Sequence, residues 1–296
     1  LHLIFYFPPT KNDIASIALV SIPLMISISR ILKPSNYVRK LRAICLAPFY
    51  DMAAADRDEA EKFTAAGLDR KGGLADLDAA LMAMGQPKYS HSGGMASVHW
   101  LLFACLARQR SVARILEIGA YDGQTTALLA RLFPDSEIVT LDLPANDPIL
   151  QKTYARSNPV ALAQYERRLE ENTKAGNIKL KRINSFFLPA VVTEKFDLIW
   201  IDGGHLYPEV AWDICNCWHL VQPGGALMCD DVILHPRGRR DAYVSNDSAS
   251  VLKYVVARTE ERCYFFMKRA SPKWSADPRE RKFVALLQKG SGPGGK

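Results

Sequence analysis

From about Tyr89 onward the chain alternates two kinds of apolar pattern, and that alternation limits its fold more than any other feature. Five short runs have the length of buried strands: RILEIG (114–119), EIVTLDL (137–143), IKLKRIN (178–184), FDLIWIDG (196–203) and GALMCDD (225–231). Between them lie TTALLARLF, PVALAQYERRLEENTKAG and PEVAWDICNCWHLV, which read as helices. Strands that are apolar throughout and separated by helices describe a parallel sheet covered on both faces. In the last helical stretch Val210, Ala211, Ile214, Cys215, Trp218 and Val221 form one stripe, and Pro208 suits its first turn. Ahead of the first strand, SHSGGMASVHWLLFACLARQ places Met95, Val98, Leu102, Cys105 and Leu106 on one helical face. Near the C-terminus, CYFFMKRA and RKFVALLQK read as two more strands. The loop between them carries no helical pattern, so they form an antiparallel pair.

Residues 35–90 read as helices ending at Gly67 and Gly85, the expected stop residue. The chain therefore divides into a helical extension (1–88), an α/β domain (89–289) and a Gly-rich tail (290–296). The stretch IASIALVSIPLMISIS (14–29) is uncharged, with basic residues following to Arg42. It falls short of the roughly 20 residues a membrane span needs, and Pro23 interrupts it. Residues 1–24 are then either an anchor or a non-native leader ahead of a start at Met25, with membrane attachment through 14–32 the alternative to a cytoplasmic protein.

The 296 residues carry a formal charge of +7, with basic residues mostly scattered. The densest groups are RKLR at 39–42 and the trio Arg237, Arg239 and Arg240, so no long stripe for nucleic acid stands out. Those three arginines fall in an aperiodic loop (233–250) and suit either an acidic acceptor or plain solvation. Six cysteines without a CxxC pair point to reduced thiols and a cytosolic setting. The helical extension suits a dimer surface or a lid.

The first strand ends at Glu117-Ile118-Gly119, and glycines at 119 and 123 let a ligand approach the backbone where a helix begins. The G-x-x-x-G spacing departs from a dinucleotide fingerprint, and no Lys-Ser/Thr follows Gly123 as in a phosphate loop. Glu117 would repel a pyrophosphate and attract a cationic ligand.

LEIGAYDGQTT followed by IVTLDL resembles the first two motifs of class I S-adenosylmethionine-dependent methyltransferases, from about Ser90 to Leu287. The resemblance implies an α/β, Rossmann-like, doubly wound seven-stranded sheet, with five parallel strands and the C-terminal antiparallel pair. It implies that Glu117, Gly119, Ala120, Tyr121, Gly123 and Thr125 line the methionine end of S-adenosylmethionine. Asp142 with Leu143, 23 residues beyond Gly119, would take the ribose, and Ser185 and Phe186 the adenine. Ser92 and Gly93 would approach the cofactor's carboxylate from the N-terminal side.

FDLIWIDGGH and GALMCDD end their strands in acids, which places Asp202, Asp230 and Asp231 to converge; the alternatives are that Asp202 caps the next helix or touches the cofactor, and that Asp230 and Asp231 bond loop amides. Three oxygen donors suit Mg²⁺, which would also lower the pKa of a bound hydroxyl. The pattern is similar to the cation-dependent O-methyltransferases of the catechol and antibiotic-sugar types. The catechol type has Asn where Asp231 stands, and a lysine base where this chain has His205. The sugar type has an aspartate base where this chain has Gly204. The expectation is methyl transfer to a hydroxyl of a small-molecule acceptor, with Asp202 and His205 catalytic and His205 the base. A metal-independent N- or O-methyltransferase and a non-catalytic partner subunit of the same fold are the alternatives. Trp200, Trp212 and Trp218 read as core.

Overall fold

The structure, a computed structural model, describes residues 34–91, 97–153, 156–235, 245–259 and 261–291. Outside them lie the 14–29 stretch, Ser92 and Gly93, residues 236–244 of the 233–250 loop with its three arginines, and residues 292–296 of the tail. Three helices open the described chain: α1 (Pro34–Leu46), α2 (Met52–Ala65) and α3 (Arg70–Ala83). The side chains of Asp51 and Asp69 accept from the amides of Ala54 and Gly72, satisfying donors that the first turn of α2 or α3 leaves over. Both helices stop where expected. Gly67 and Gly85 follow them with φ of +72° and +68°.

Helix α4 (Val98–Gln109) leads into β1 (Arg114–Ile118), α5 (Gln124–Leu132) and β2 (Glu137–Asp142). After the short α6 (Pro148–Lys152) come α7 (Pro159–Asn172), β3 (Ile178–Arg182) and the single turn α8 (Leu188–Val191). Then follow β4 (Phe196–Ile201), α9 (Glu209–Leu220), β5 (Val221–Val232) and α10 (Asp247–Thr259). The chain closes with β6 (Arg262–Met267), the single turn α11 (Pro272–Ser275) and β7 (Phe283–Gln288). Every expected strand is present. The β6–β7 connection differs from expectation in holding α11, too short a turn to leave a helical period. Pro208 stands just ahead of α9 rather than within it.

The strands form one seven-stranded sheet in the order β3-β2-β1-β4-β5-β7-β6. β3, β2, β1, β4 and β5 run parallel, and β7 lies antiparallel between β5 and β6. This is the expected Rossmann-like architecture. Successive residues of each central strand serve opposite faces. Leu198 and Trp200 of β4 pack with α3, α4 and α5, while Ile199 and Ile201 pack with α9 and α10. Phe63 of α2 and Leu77 and Leu81 of α3 join the first of these cores, so the N-terminal helices cover the sheet directly. Among the described residues no helix is long and apolar enough to cross a membrane.

Candidate active site

The strand order reverses between β1 and β4, and in open α/β sheets that switch point is where ligands bind. At the end of β1 the chain turns sharply. The amides of Gly119 and Ala120 both donate to the Leu141 carbonyl, at 2.9 and 3.1 Å, and the Gly123 amide donates to Ala120 at 2.8 Å. Gly119 has φ +95° and Gly123 φ +78°. A Cβ at Gly119 would fall 2.4 Å from the Asp202 carbonyl oxygen, and one at Gly123 would fall 2.9 Å from Asn172 Cβ. The two glycines are thus demanded by the protein's own packing.

Glu117 lies beneath this turn, fully buried. Its Oε2 accepts from Thr126 of α5 and from Thr140 of β2, the latter at 2.7 Å, while Oε1 has no partner. Burial pushes its carboxyl up to about 7, against the two threonine bonds. Ala120 is buried, Thr125 is half-buried in the first turn of α5, and Tyr121, at φ +50°, leaves its ring half open.

Asp142 ends β2, and its Oδ1 accepts from the Leu143 amide at 2.6 Å. Burial raises its pKa, opposed by that bond and by the charges of Arg182 and Arg156. Sequence reasoning missed these two arginines and Tyr165. Arg156 stacks 3.9 Å over the Tyr165 ring and 5.1 Å from that of Tyr121, and Arg182 donates to the Tyr165 hydroxyl. The only signal for them would have been aromatic and basic residues in the segment after β2.

Ser185 and Phe186 follow β3, and Phe186 lies 5.5 Å from Trp212 of α9. Trp212 is therefore not the core residue its apolar pattern suggested. It is 38% exposed, and its indole N–H donates to the Ser185 carbonyl at 3.2 Å. Trp200 and Trp218 are buried as expected. The carboxylate of Asp142 and the Phe186–Trp212 ring pair are groups that could accept from hydroxyls and flank a flat ring.

Asp202 and His205, which follow β4, meet Asp230 and Asp231 near the C-terminal end of β5. Consecutive strand residues ordinarily point to opposite faces. Here the β5–β7 register shifts between Cys229 and Val232, and Asp231 adopts φ +51°, so both acids of the pair reach the same cation. That cation is Lys268, just past β6. Its ammonium donates to Asp230 Oδ2 and, at 2.6 Å, to Asp231 Oδ1. Lys282, whose carbonyl accepts from the Lys268 amide across the β6–β7 pair, donates to Asp231 Oδ2.

His205 Nε2 lies 3.6 Å from Asp202 Oδ1 and 3.9 Å from Asp231 Oδ2. Burial lowers the pKa of His205, partly offset by Asp231 and Asp230, so the imidazole is neutral near pH 7. Asp202 keeps 32% of its side chain open to the cleft. Its pKa is nevertheless raised, by desolvation first and then by the Asp230 charge. For Asp231, burial works upward, but the ammonium charges of Lys268 and Lys282 outweigh it and hold the carboxyl low. Two carboxylates thus face two ammonium groups.

The expected Mg²⁺ site does not fit these residues. The acids converge, but three of the four oxygens of Asp230 and Asp231 are engaged by lysine, and a positive charge already stands between them. Among the described residues no group of three His, Cys, Asp or Glu is disposed to hold a metal ion. The lysines were missed because they lie 37 to 51 residues beyond Asp231 and reach it only through the β7 insertion. A separate cleft of about 760 Å³, lined by Asp56, Arg70, Tyr89 and His91 among others, opens against α2 and α3 and shares no lining residue with the acids.

Residues 116–232 match the family model described as a methyltransferase domain. Among curated proteins none matches. Solved structures similar to this chain include the O-methyltransferase TomG of Streptomyces achromogenes in complex with SAM, at 22% identity, 77% of this chain, 94% of that one and a TM-score of 0.47. Another is an O-methyltransferase from Bacillus cereus in complex with SAH, at 16% identity, 73% of this chain, 90% of that one and a TM-score of 0.46. A third is a putative O-methyltransferase from Klebsiella pneumoniae, at 18% identity, 79% of this chain, 96% of that one and a TM-score of 0.43. The matched segment spans β1 to β5 with the glycine turn and the acids, and it bears out the resemblance to a methyltransferase.

Proposed function

We propose that the chain transfers a methyl group from S-adenosylmethionine to a hydroxyl oxygen of a small-molecule acceptor, with His205 taking the proton. The observation that carries this reading is the half-buried, neutral imidazole of His205 beside Asp202 at the switch point of a matched methyltransferase segment. S-adenosylmethionine supplies an activated methyl group, so the protein has to align the acceptor and remove its proton. Asp142 would accept from the ribose hydroxyls, and Phe186 with Trp212 would flank the adenine. Asp202, beside His205, would hydrogen-bond the acceptor hydroxyl and orient it. His205 Nε2 would then receive the acceptor proton as the new C–O bond forms and the C–S electron pair returns to sulfur. No step is routed through Mg²⁺, for which the donor set is unsuited.

The test is transfer of labelled methyl from S-adenosylmethionine to a panel of catechols and sugars, by the wild-type chain and by His205→Gln. Turnover lost in the variant, with S-adenosylhomocysteine still bound, supports the reading. Binding of S-adenosylhomocysteine without turnover on any hydroxyl favours the partner-subunit alternative, and turnover on amines alone shifts the assignment to nitrogen.

A further inference from the structure

We infer that Lys268 is the resident cation of the Asp202–Asp230–Asp231 cluster, taking the place a divalent metal would need. The inference deepens the proposed function, since it concerns how the same cleft balances its charge. It stands on three observations. First, the ammonium is almost wholly buried, at 8% exposure, and donates to both Asp230 and Asp231. A charge withdrawn from water to that degree is retained only when it is paired. Second, the backbone is shaped to bring both acids to it, through the register shift in β5 and the left-handed conformation of Asp231. A non-glycine residue held there costs energy that the surrounding contacts must offset. Third, Lys282 stands across the β6–β7 pair from Lys268 and takes the remaining Asp231 oxygen.

The consequence is chemical as well as structural. A lysine ammonium has three donors, and Asp230 and Asp231 accept two of them. An ammonium centred among these acids offers an acceptor oxygen the positive field that a metal would otherwise supply, without a water shell to shed.

Titration of the purified full chain with Mn²⁺, followed by electron paramagnetic resonance, reads this directly. S-adenosylhomocysteine binding is measured calorimetrically in parallel, with and without EDTA. We expect no saturable Mn²⁺ uptake by the wild-type chain and the same cofactor affinity in EDTA. One equivalent of tightly held Mn²⁺, lost in Asp231→Asn, overturns the inference. Lys268→Met should gain a saturable Mn²⁺ signal, and a folded Lys268→Met chain that gains none also overturns it. The wild-type titration decides the matter if that variant fails to fold. Failure to bind S-adenosylhomocysteine sinks the methyltransferase reading instead, and leaves the Mn²⁺ result to be judged by itself.

Discussion

A side chain at Gly119 would place its Cβ 2.4 Å from the carbonyl oxygen of Asp202, so the first turn of the candidate cofactor site and the first acid of the candidate catalytic cleft are in mutual contact. Asp202 is also tied to β1 by its amide, which donates to the Ile118 carbonyl at 2.8 Å. Gly119→Ala must therefore either move Asp202 or distort the turn, at φ +95° where an alanine is already strained. The expected outcome is a stability loss of roughly 2–3 kcal/mol together with loss of S-adenosylhomocysteine binding. Gly85→Ala is the control, since its φ is +68° but nothing lies within 4 Å of the added Cβ. It should cost about 1 kcal/mol and leave binding intact. Thermal unfolding and calorimetry of the two variants separate the cases.

His205→Gln should lower kcat by about 10²- to 10⁴-fold, the usual range for a positioned base, with little change in cofactor affinity. Burial lowers the pKa of His205, so the acidic limb of the wild-type rate profile should fall below the usual histidine value near ~6.5. In the variant that limb should disappear. A profile of kcat against pH for both enzymes checks this.

Glu117 gives stability a pH dependence of fixed sign. Its carboxyl titrates near about 7 in the folded chain but at the ordinary glutamate value when unfolded. The folded state therefore holds the proton more tightly. This contribution is fully present below about pH 4.3, and is lost as pH rises through about 7. The loss amounts to about 4 kcal/mol at most, from ~1.4 kcal/mol per pKa unit. Glu117→Gln should flatten the fall between those values. Asp213, pushed up to about 6 by burial, adds a smaller slope of the same sign that the variant retains. Denaturant midpoints from pH 4 to 8 would reveal both.

Asp142→Asn keeps the shape of the β2 end but exchanges a carboxylate oxygen for an amide that cannot accept. A hydrogen bond to a charged group contributes about 1.5–3 kcal/mol, so S-adenosylhomocysteine should bind roughly 10- to 100-fold more weakly. Calorimetric titration checks this, and an unchanged affinity would remove Asp142 from the ribose role.

The fold was largely legible because the central strands β1, β2 and β4 are nearly continuous apolar runs, and such runs announce themselves without reference to partners. The glycine turn and Asp202 were legible for the same local reason, since they end strands. Lys268 and Lys282 were not, because a lysine after an apolar strand carries no mark of what faces it. Only the placement of β7 between β5 and β6 brings them to Asp231. Trp212 failed in the other direction. It sits in an apolar helical pattern, yet its place on α9 beside Ser185 leaves the ring partly open. Periodicity reports which face is apolar and says nothing of where the face ends.

The insertion of β7 between β5 and β6 also sets an order of events for a chain made from its N-terminus. β6 has no neighbour in the sheet until the segment Phe283–Gln288 has been synthesised and has added to β5. Until then the sheet offers no strand to carry Lys268 beside Asp230 and Asp231. The last strand thus acts as a latch. The pairing of β7 between β5 and β6 is what carries Lys268 and Lys282 to the acids of the cleft.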